Sequence, residues 1–153
     1  ADAVALELKK DIDFIIDTVL SDSSSISVTI DVVNNITNSY NIVICLTENN
    51  IINWQKDGVN DVEDYEHNHV LRSVITDESL SSNQSFVSGE IIEKVYSVNL
   101  DELEEDNIKY SQNNVSGNGN AGDWNAENLS VVAYIYNTTT NEIVQVEEAH
   151  LIN

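Results

Sequence analysis

The sequence predicts an all-β sandwich of about eight strands, folded as a single domain over residues 1–153. Apolar and polar residues alternate in several segments of strand length, the pattern of a strand with one buried face. Asn, Asp and Ser separate these segments at short intervals and form the turns in a chain that contains no proline. No segment shows the roughly 3.6-residue periodicity of a long amphipathic helix, and no change of composition marks a second domain.

The first half of the chain carries the clearest strand patterns. Residues 4–8 and 12–16 each alternate, and Lys9-Lys10 separates them. Residues 26–32 alternate most regularly, so one face of this strand is predicted to be buried. Residues 41–48 hold a continuous apolar run instead, which predicts a strand that is buried on both faces.

The second half of the chain predicts further strands joined by longer connections. These strands cover residues 70–75, 91–100, 129–136 and 142–151. The connections are a long excursion over residues 49–64 with the turn signal Asp57-Gly58, a Ser-rich loop over 77–89, an Asn/Gly loop over 107–128 and a hairpin turn over 137–141. Residues 100–106 are predicted to form a single helical turn, because Asn99 and Glu102 match a capping pattern.

The chain is strongly acidic. Acidic residues outnumber basic residues 27 to 6, and the formal net charge is −21. A field of that sign repels phosphate groups, which argues against nucleic acid and anionic lipid surfaces as partners; it keeps the chain soluble and favours cationic partners. No apolar run reaches the roughly 20 residues that a membrane-spanning helix needs, so the chain is not expected to span a membrane itself. Ala1 is expected to be the boundary of a mature domain.

Cys45 is the single cysteine of the sequence, so no disulfide can form within the chain. It lies inside the apolar run of residues 42–46, where it is predicted to behave as a small buried hydrophobe. A nucleophilic thiol needs a partly exposed and electropositive setting, which its sequence neighbours do not supply.

Three segments of the chain resemble a known family. They are residues 42–55 (IVICLTENNIINWQ), residues 65–72 (YEHNHVLR) and residues 124–151, which contain VVAYIYN and EIVQVEEAHL. The pattern Tyr-x-His-Asn-His-x-x-Arg is the most specific of them, and together they cover about half of the chain. On these residues the sequence resembles the C-terminal domain of the twenty-eight-kilodalton outer-membrane antigen (outer membrane lipoprotein) family of Bacteroidetes.

The resemblance implies a fold and a location. It implies a fibronectin-like or immunoglobulin-like sandwich, export, and a place at the outer membrane, the cell surface or the periplasm. Members of the family often carry a thioredoxin-like domain ahead of this one. The family has no established reaction, and adhesion or receptor roles have been proposed for it.

The first two of these similar segments hold the candidate ligand contacts. They are Trp54, Tyr65, His67, His69 and Arg72. Exposed aromatic residues on sandwich loops can stack on sugar rings or anchor partner proteins, and Trp54 is the best candidate because it lies in the long excursion. Trp124 is expected to pin a loop instead.

His67 and His69 are two residues apart, so on a strand they would share one face. With Glu63 or Glu66 they could hold zinc or copper. The alternative, which we favour, is that both form structural hydrogen bonds at the start of a strand. Arg72 is the only arginine, and its planar five-donor fork suits a carboxylate. A structural clamp between Arg72 and an Asp or Glu is favoured over ligand binding.

The loop over residues 117–122 spells G-x-G-x-x-G, but no apolar strand precedes it and no helical pattern follows, so it is not a dinucleotide loop. Asn118, Asn120 and Asp123 could instead gather calcium with help from the acidic run 101–106. A solvated acidic loop is the alternative. No other cofactor is indicated.

These observations favour a non-enzymatic binding or adhesion module that meets a protein or glycan ligand at the cell surface. The alternative is a structural module that spaces or docks a neighbouring thioredoxin-like domain. A third hypothesis, ranked last, is an enzyme that uses His67 and His69 with a metal. A binding module predicts an exposed aromatic patch at one end of the sandwich, a spacer predicts uniformly polar loops with the patch near Ala1, and an enzyme predicts a deep pocket around both histidines.

Overall fold

The structure is a computed structural model that describes residues 12–21, 24–113 and 123–151. In these residues eleven β-strands and one α-helix follow each other along the chain. The strands are β1 (Phe14–Ser21), β2 (Ser25–Val32), β3 (Ile36–Thr37), β4 (Tyr40–Glu48), β5 (Ile51–Asp57), β6 (Asn60–His67), β7 (Val70–Ser79), β8 (Ser85–Phe86), β9 (Ile91–Ser97), β10 (Leu129–Asn137) and β11 (Ile143–His150). The helix α1 covers Leu100–Asn113, and a short 3₁₀ turn over Ala126–Asn128 precedes β10.

Two antiparallel sheets form the sandwich. One has three strands in the order β1-β2-β9, and the other has four strands in the order β11-β10-β4-β7. The inner faces of both sheets contribute to a single apolar core. The predicted all-β sandwich is therefore confirmed.

The strands β2 and β4 match their sequence patterns. Every second residue of β2 is buried, as its alternation predicted. In β4 residues 42–48 are all buried, and β10 and β7 flank the strand on its two sides. The continuous apolar run of β4 thus marks the central strand of the larger sheet.

An aromatic cluster packs between the two sheets. Phe14 of β1 meets Tyr40 of β4 edge-on with ring centroids 4.8 Å apart, and it meets Phe86 of β8 edge-on at 5.2 Å. Such edge-to-face pairs add about 0.5–1.5 kcal/mol beyond the buried area. The cluster therefore fixes the short strand β8 against the core.

The helix α1 corrects the prediction of a single turn over residues 100–106. The predicted cap is present, since the Asn99 side chain accepts a hydrogen bond from the Glu102 N–H at 3.3 Å. However, the helix continues to Asn113, into the predicted loop over 107–128. Only Leu100 and Leu103 of α1 pack against the core, so its sequence carries little apolar periodicity. Among the described residues, no helix has the length and apolarity needed to cross a membrane.

The described strands also exceed the predicted number. The predicted loop over 77–89 contains the end of β7 and the short strand β8, and the excursion over 49–64 forms most of a strand pair. The predicted strand over residues 4–8 and the Gly-rich residues 117–122 lie outside the described residues.

Candidate functional site

The strands β5 and β6 form a hairpin of their own. They pair with each other and with no other described strand, through a two-residue turn at Gly58 and Val59. Gly58 has a φ of +61°, a left-handed conformation that glycine adopts without strain. Because β5 follows β4 and β6 precedes β7 in the chain, the hairpin continues the β4–β7 pair beyond the core. None of its strand residues is buried.

Four residues at the base of the hairpin set the angle at which it leaves the sandwich. Asn50 and His69 both have left-handed backbones, with φ of +59° and +53°. The Asn49 side chain accepts a hydrogen bond from the His69 N–H at 2.7 Å, and the Asn68 side chain accepts one from the Asn50 N–H at 2.9 Å. These reciprocal bonds join the β4–β5 connection to the β6–β7 connection, where the backbone pairing between strands is interrupted. Asparagine suits this bend because it tolerates left-handed backbone and bonds nearby main chain.

One face of the hairpin carries apolar side chains beside carboxylates. Trp54 is 52% exposed and Ile52 is 58% exposed. Ile52 pairs with Glu66 in the register, and the register shifts between Asn53 and Gln55, which places Trp54 at a β-bulge. A bulge turns the strand locally and re-aims side chains. The hairpin therefore presents an aromatic side chain to solvent with an acidic strand next to it.

Tyr65, His67 and His69 occupy different settings. The rings of Tyr65 and His67 meet edge-on at 4.8 Å on β6. His69 lies in the bend between β6 and β7, and its Nε2 is 3.3 Å from Glu148 Oε2 on β11. The prediction that His67 and His69 share one face of a strand is wrong, because the strand ends at His67 and the backbone of His69 is left-handed. Within the described ranges no three His, Cys, Asp or Glu side chains are grouped so as to hold a metal ion.

Arg72 forms the predicted clamp, and its partner is Glu48 at the end of β4. The Arg72 Nε–H donates to Glu48 Oε2 at 2.7 Å, and the side chains are only 12% and 4% exposed. The other oxygen, Glu48 Oε1, accepts the backbone N–H of Asn125 at 2.9 Å. The Arg72 guanidinium also lies over the ring of Trp124, 5.8 Å from its centroid. The clamp thereby fastens the segment before β10 to the base of the hairpin.

Trp124 fills the loop-pinning role that the sequence predicts. Its ring packs against the core, and its backbone N–H donates to Glu104 Oε1 on α1 at 3.1 Å. On the same helix, the side-chain amide of Asn107 donates to the backbone carbonyl of Arg72. The helix, the loop and β7 are therefore joined around one arginine.

Of the residues predicted to bind calcium, only Asp123 is described, and it is exposed with a left-handed backbone at φ +59°. Asn118 and Asn120 lie outside the described residues. The calcium site stays a prediction.

Sequence reasoning missed two exposed apolar residues of the hairpin, Ile52 and Val59. Val59 stands in the two-residue turn and is 94% exposed. Its position directly after Gly58 was the available signal, because a two-residue turn places its second residue at the tip.

The fold and the hairpin define a class of protein, an all-β sandwich module with a projecting strand pair. The family model described as outer membrane protein Omp28 matches residues 1–153, and the chain belongs to this family. The family resemblance is thus confirmed, and the chain is associated with the outer membrane.

A solved structure shares the fold at low sequence identity. The structure of HBP35 of Porphyromonas gingivalis is similar with a TM-score of 0.57 and 10% identity, over 92% of this chain and 41% of that one. This chain therefore spans about two-fifths of the length of that protein. A domain of the outer membrane lipoprotein Omp28 from Porphyromonas gingivalis is 20% identical over 93% of this chain and 90% of that one, with a TM-score of 0.44. No curated protein matches the chain.

Proposed function

We propose that this chain is a non-enzymatic binding or adhesion module of an outer-membrane-associated protein, exposed at the cell surface or in the periplasm. Its contact surface is the β5–β6 hairpin, and its ligand is a protein or a glycan at the cell surface. The observation that carries the proposal is the half-exposed Trp54 on a strand pair that contributes no buried residue to the core. Removing such a side chain would cost the fold little, so binding is the better reason for its presence.

The composition of the hairpin supports this role. Tryptophan and tyrosine are among the residues that dominate binding energy at interfaces, and Trp54 and Tyr65 are both exposed. Ile52 and Val59 extend the apolar surface along the same strand pair to its tip. Exposed apolar surface of this kind commonly marks an interaction site.

The base of the hairpin supports the proposal in a second way. The reciprocal hydrogen bonds of Asn49 with His69 and of Asn50 with Asn68 fix the hairpin relative to the sandwich. A contact surface that is already ordered loses less conformational entropy when it binds. The module therefore presents Trp54 in a defined direction.

The proposal also includes the variety of sandwich, the remaining candidate contacts, attachment as a lipoprotein and a calcium ion. The fibronectin-like or immunoglobulin-like variety of sandwich agrees with one three-stranded and one four-stranded antiparallel sheet. The candidate contacts Tyr65, His67 and His69 lie on the hairpin or at its base, and Arg72 lies just beyond it. Attachment as a lipoprotein and a calcium ion near Asp123 stay proposals.

The second candidate function is a spacer or docking module for a thioredoxin-like domain. It is supported by the similar but much longer chain of HBP35, of which this module corresponds to 41%. A pure spacer has no use for exposed Trp54, Ile52 and Val59 on one hairpin, so the binding role is favoured.

The test replaces Trp54 and measures binding to a glycan array and to surfaces coated with fibronectin, fibrinogen and collagen. Trp54→Ala is expected to weaken binding by about 30-fold, the effect of removing an interface hot spot of roughly 2 kcal/mol. Tyr110→Ala is the matched control, because Tyr110 is an exposed aromatic residue on α1. Equal binding by the unchanged chain and Trp54→Ala would contradict the contact surface, and failure of the unchanged chain to bind any probe would favour the spacer.

A further inference from the structure

A polar cleft of about 350 Å³ lies at the base of the hairpin. It forms where β4, β5 and β7 meet the segment that precedes β10, and Trp54 does not line it. Ligand pockets in proteins have volumes of roughly 300–1,000 Å³, so this cleft has room for one small ring. The cleft is a surface separate from the exposed Trp54.

Arg72 supplies donors to this cleft. Its Nε–H is used by Glu48, while its two terminal amino groups have no hydrogen-bond partner among the described residues. Glu48 and the ring of Trp124 hold the guanidinium in place. Since arginine carries five N–H donors and no acceptor, most of its donors remain available in a fixed plane.

Three asparagines of the cleft are oriented to donate as well. The side-chain oxygen of Asn53 accepts the N–H of the next residue at 2.7 Å, and that of Asn125 accepts the N–H two residues on at 3.1 Å. The side-chain oxygen of Asn128 accepts from the amide of Asn50 at 3.2 Å. Within the described part of the chain their three NH₂ groups have no partner. These bonds fix the orientation of the three amides, so their NH₂ groups are donors that a ligand can engage.

The charge and the apolar lining of the cleft restrict the chemical class of ligand that it can bind. The charge of Arg72 is balanced by Glu48, Asp123 also lines the cleft, and the whole chain carries −21. An anionic ligand is therefore disfavoured, although the donors demand a ligand rich in acceptor oxygens. Ile51 adds an apolar side chain to the wall, on the same face of β5 as Asn53. The ligand must therefore be uncharged, supply acceptor oxygens and have an apolar face. A ring with hydroxyl oxygens and an apolar C–H face meets all three conditions.

We propose that this cleft binds one residue of a neutral saccharide. Its hydroxyl oxygens accept hydrogen bonds from the terminal amino groups of Arg72 and from the NH₂ groups of Asn53 and Asn125, while the ring packs on Ile51, which shares the face of β5 with Asn53. The site does not depend on the hairpin contact through Trp54.

The experiment records amide and side-chain NMR signals of the chain during titration with galactose, mannose, N-acetylglucosamine and glucuronate. At least one neutral sugar is expected to shift the signals of Asn53, Arg72 and Asn125 in a saturable way, and glucuronate is expected to bind more weakly. Asn53→Asp keeps the oxygen that accepts the backbone N–H and removes the free donor, so the neutral sugar should bind about three- to tenfold more weakly. Asn83→Asp is the matched control, because it makes the same change on an exposed loop residue outside the cleft.

Two further variants separate the possible outcomes. Arg72→Lys keeps the charge opposite Glu48 and loses the planar fork, so it should weaken sugar binding while the thermal midpoint reports whether the fold is intact. Trp54→Ala should leave sugar binding at the cleft unchanged, which keeps this site distinct from the proposed hairpin contact. The proposal is overturned if no neutral sugar shifts the cleft signals, if glucuronate binds more tightly, or if Asn53→Asp and Asn83→Asp behave alike.

Discussion

The ammonium of Lys94 on β9 lies 3.0 Å from the carboxylate of Glu78 on β7, so one ion pair joins the edge strands of the two sheets. The hydroxyl of Tyr96, also on β9, donates to the same Glu78 oxygen at 2.9 Å. The two strands have no backbone ladder between them. This side of the sandwich is therefore closed by side chains around a single acidic residue.

This arrangement predicts a pH dependence of stability. The hydrogen bond from Lys94, aided by that from Tyr96, holds the pKa of Glu78 below its usual value, although burial opposes this. Because the folded chain binds this proton less tightly than the unfolded chain, the stabilisation is complete above the ordinary glutamate pKa of about 4.3. It is lost as the pH falls below that value through the lowered pKa of the folded state.

The measurement compares urea unfolding of the unchanged chain and Glu78→Gln between pH 7 and pH 3. Glu78→Gln should cost about 0.5–1 kcal/mol at pH 7, a small value because the pair is partly exposed. The difference should shrink toward pH 3. Glu93→Gln, an exposed position on β9, is the control and should show no such trend; a Glu78→Gln difference independent of pH would refute the assignment.

The buried clamp between Glu48 and Arg72 predicts a larger loss. Arg72→Met removes the cation and leaves the carboxylate of Glu48, which is 4% exposed, without its charged partner. Breaking a buried ion pair in this way costs about 3–5 kcal/mol, measured by chemical denaturation. Lys109→Met removes an exposed ion pair on α1 and should leave the free energy of unfolding nearly unchanged, because solvent screens exposed pairs. Similar losses for the two variants would show that burial of the clamp does not matter.

For the clamp, the sequence predicts the chemical type of the partner of Arg72 but not which residue it is. The need of Arg72 for a carboxylate follows from its chemistry, but 27 acidic residues are candidates. Glu48 became the partner because β4 and β7 are neighbours in the sheet, with Glu48 paired to Val70. Register of this kind depends on contacts between distant segments, and no local pattern reports it.

The difference between local sequence patterns and contacts between distant segments also explains which elements could be predicted. Strands β2 and β4 pack on the core, so burial imposed a clear pattern on their residues. The hairpin of β5 and β6 has no buried face, and a bulge near Trp54 breaks its alternation, so only the turn at Gly58 was visible. Helix α1 was underestimated because only Leu100 and Leu103 contact the core.

The bend at the base of the hairpin predicts an unusual preference at position 69. His69 has a φ of +53°, where a β-branched residue is strained and glycine is not. His69→Val should therefore destabilise the fold by about 1–2 kcal/mol relative to His69→Gly. Both variants remove the contact with Glu148, so their difference isolates the backbone. Thermal unfolding of the two proteins provides the measurement, and equal midpoints would show that the bend relaxes.

The burial of Cys45 predicts a slow reaction of its thiol. Cys45 is 7% exposed on the outer side of β4, between Val132 on β10 and Val74 on β7, and burial raises the pKa of its thiol. Burial limits the access of a thiol reagent, and the raised pKa lowers the fraction of thiolate, which is the reactive form. Both effects slow the reaction of Cys45.

The native chain should react at least about a hundredfold more slowly than the chain unfolded in urea, because reaction requires an opening of the sheet. The double variant Cys45→Ala/Val95→Cys is the control, since Val95 is 71% exposed on β9 and a cysteine there reports the reagent's unhindered rate. If Cys45 in the native protein reacts as fast as that exposed cysteine, the outer side of β4 opens freely, and its continuous apolar run does not reflect burial on both faces.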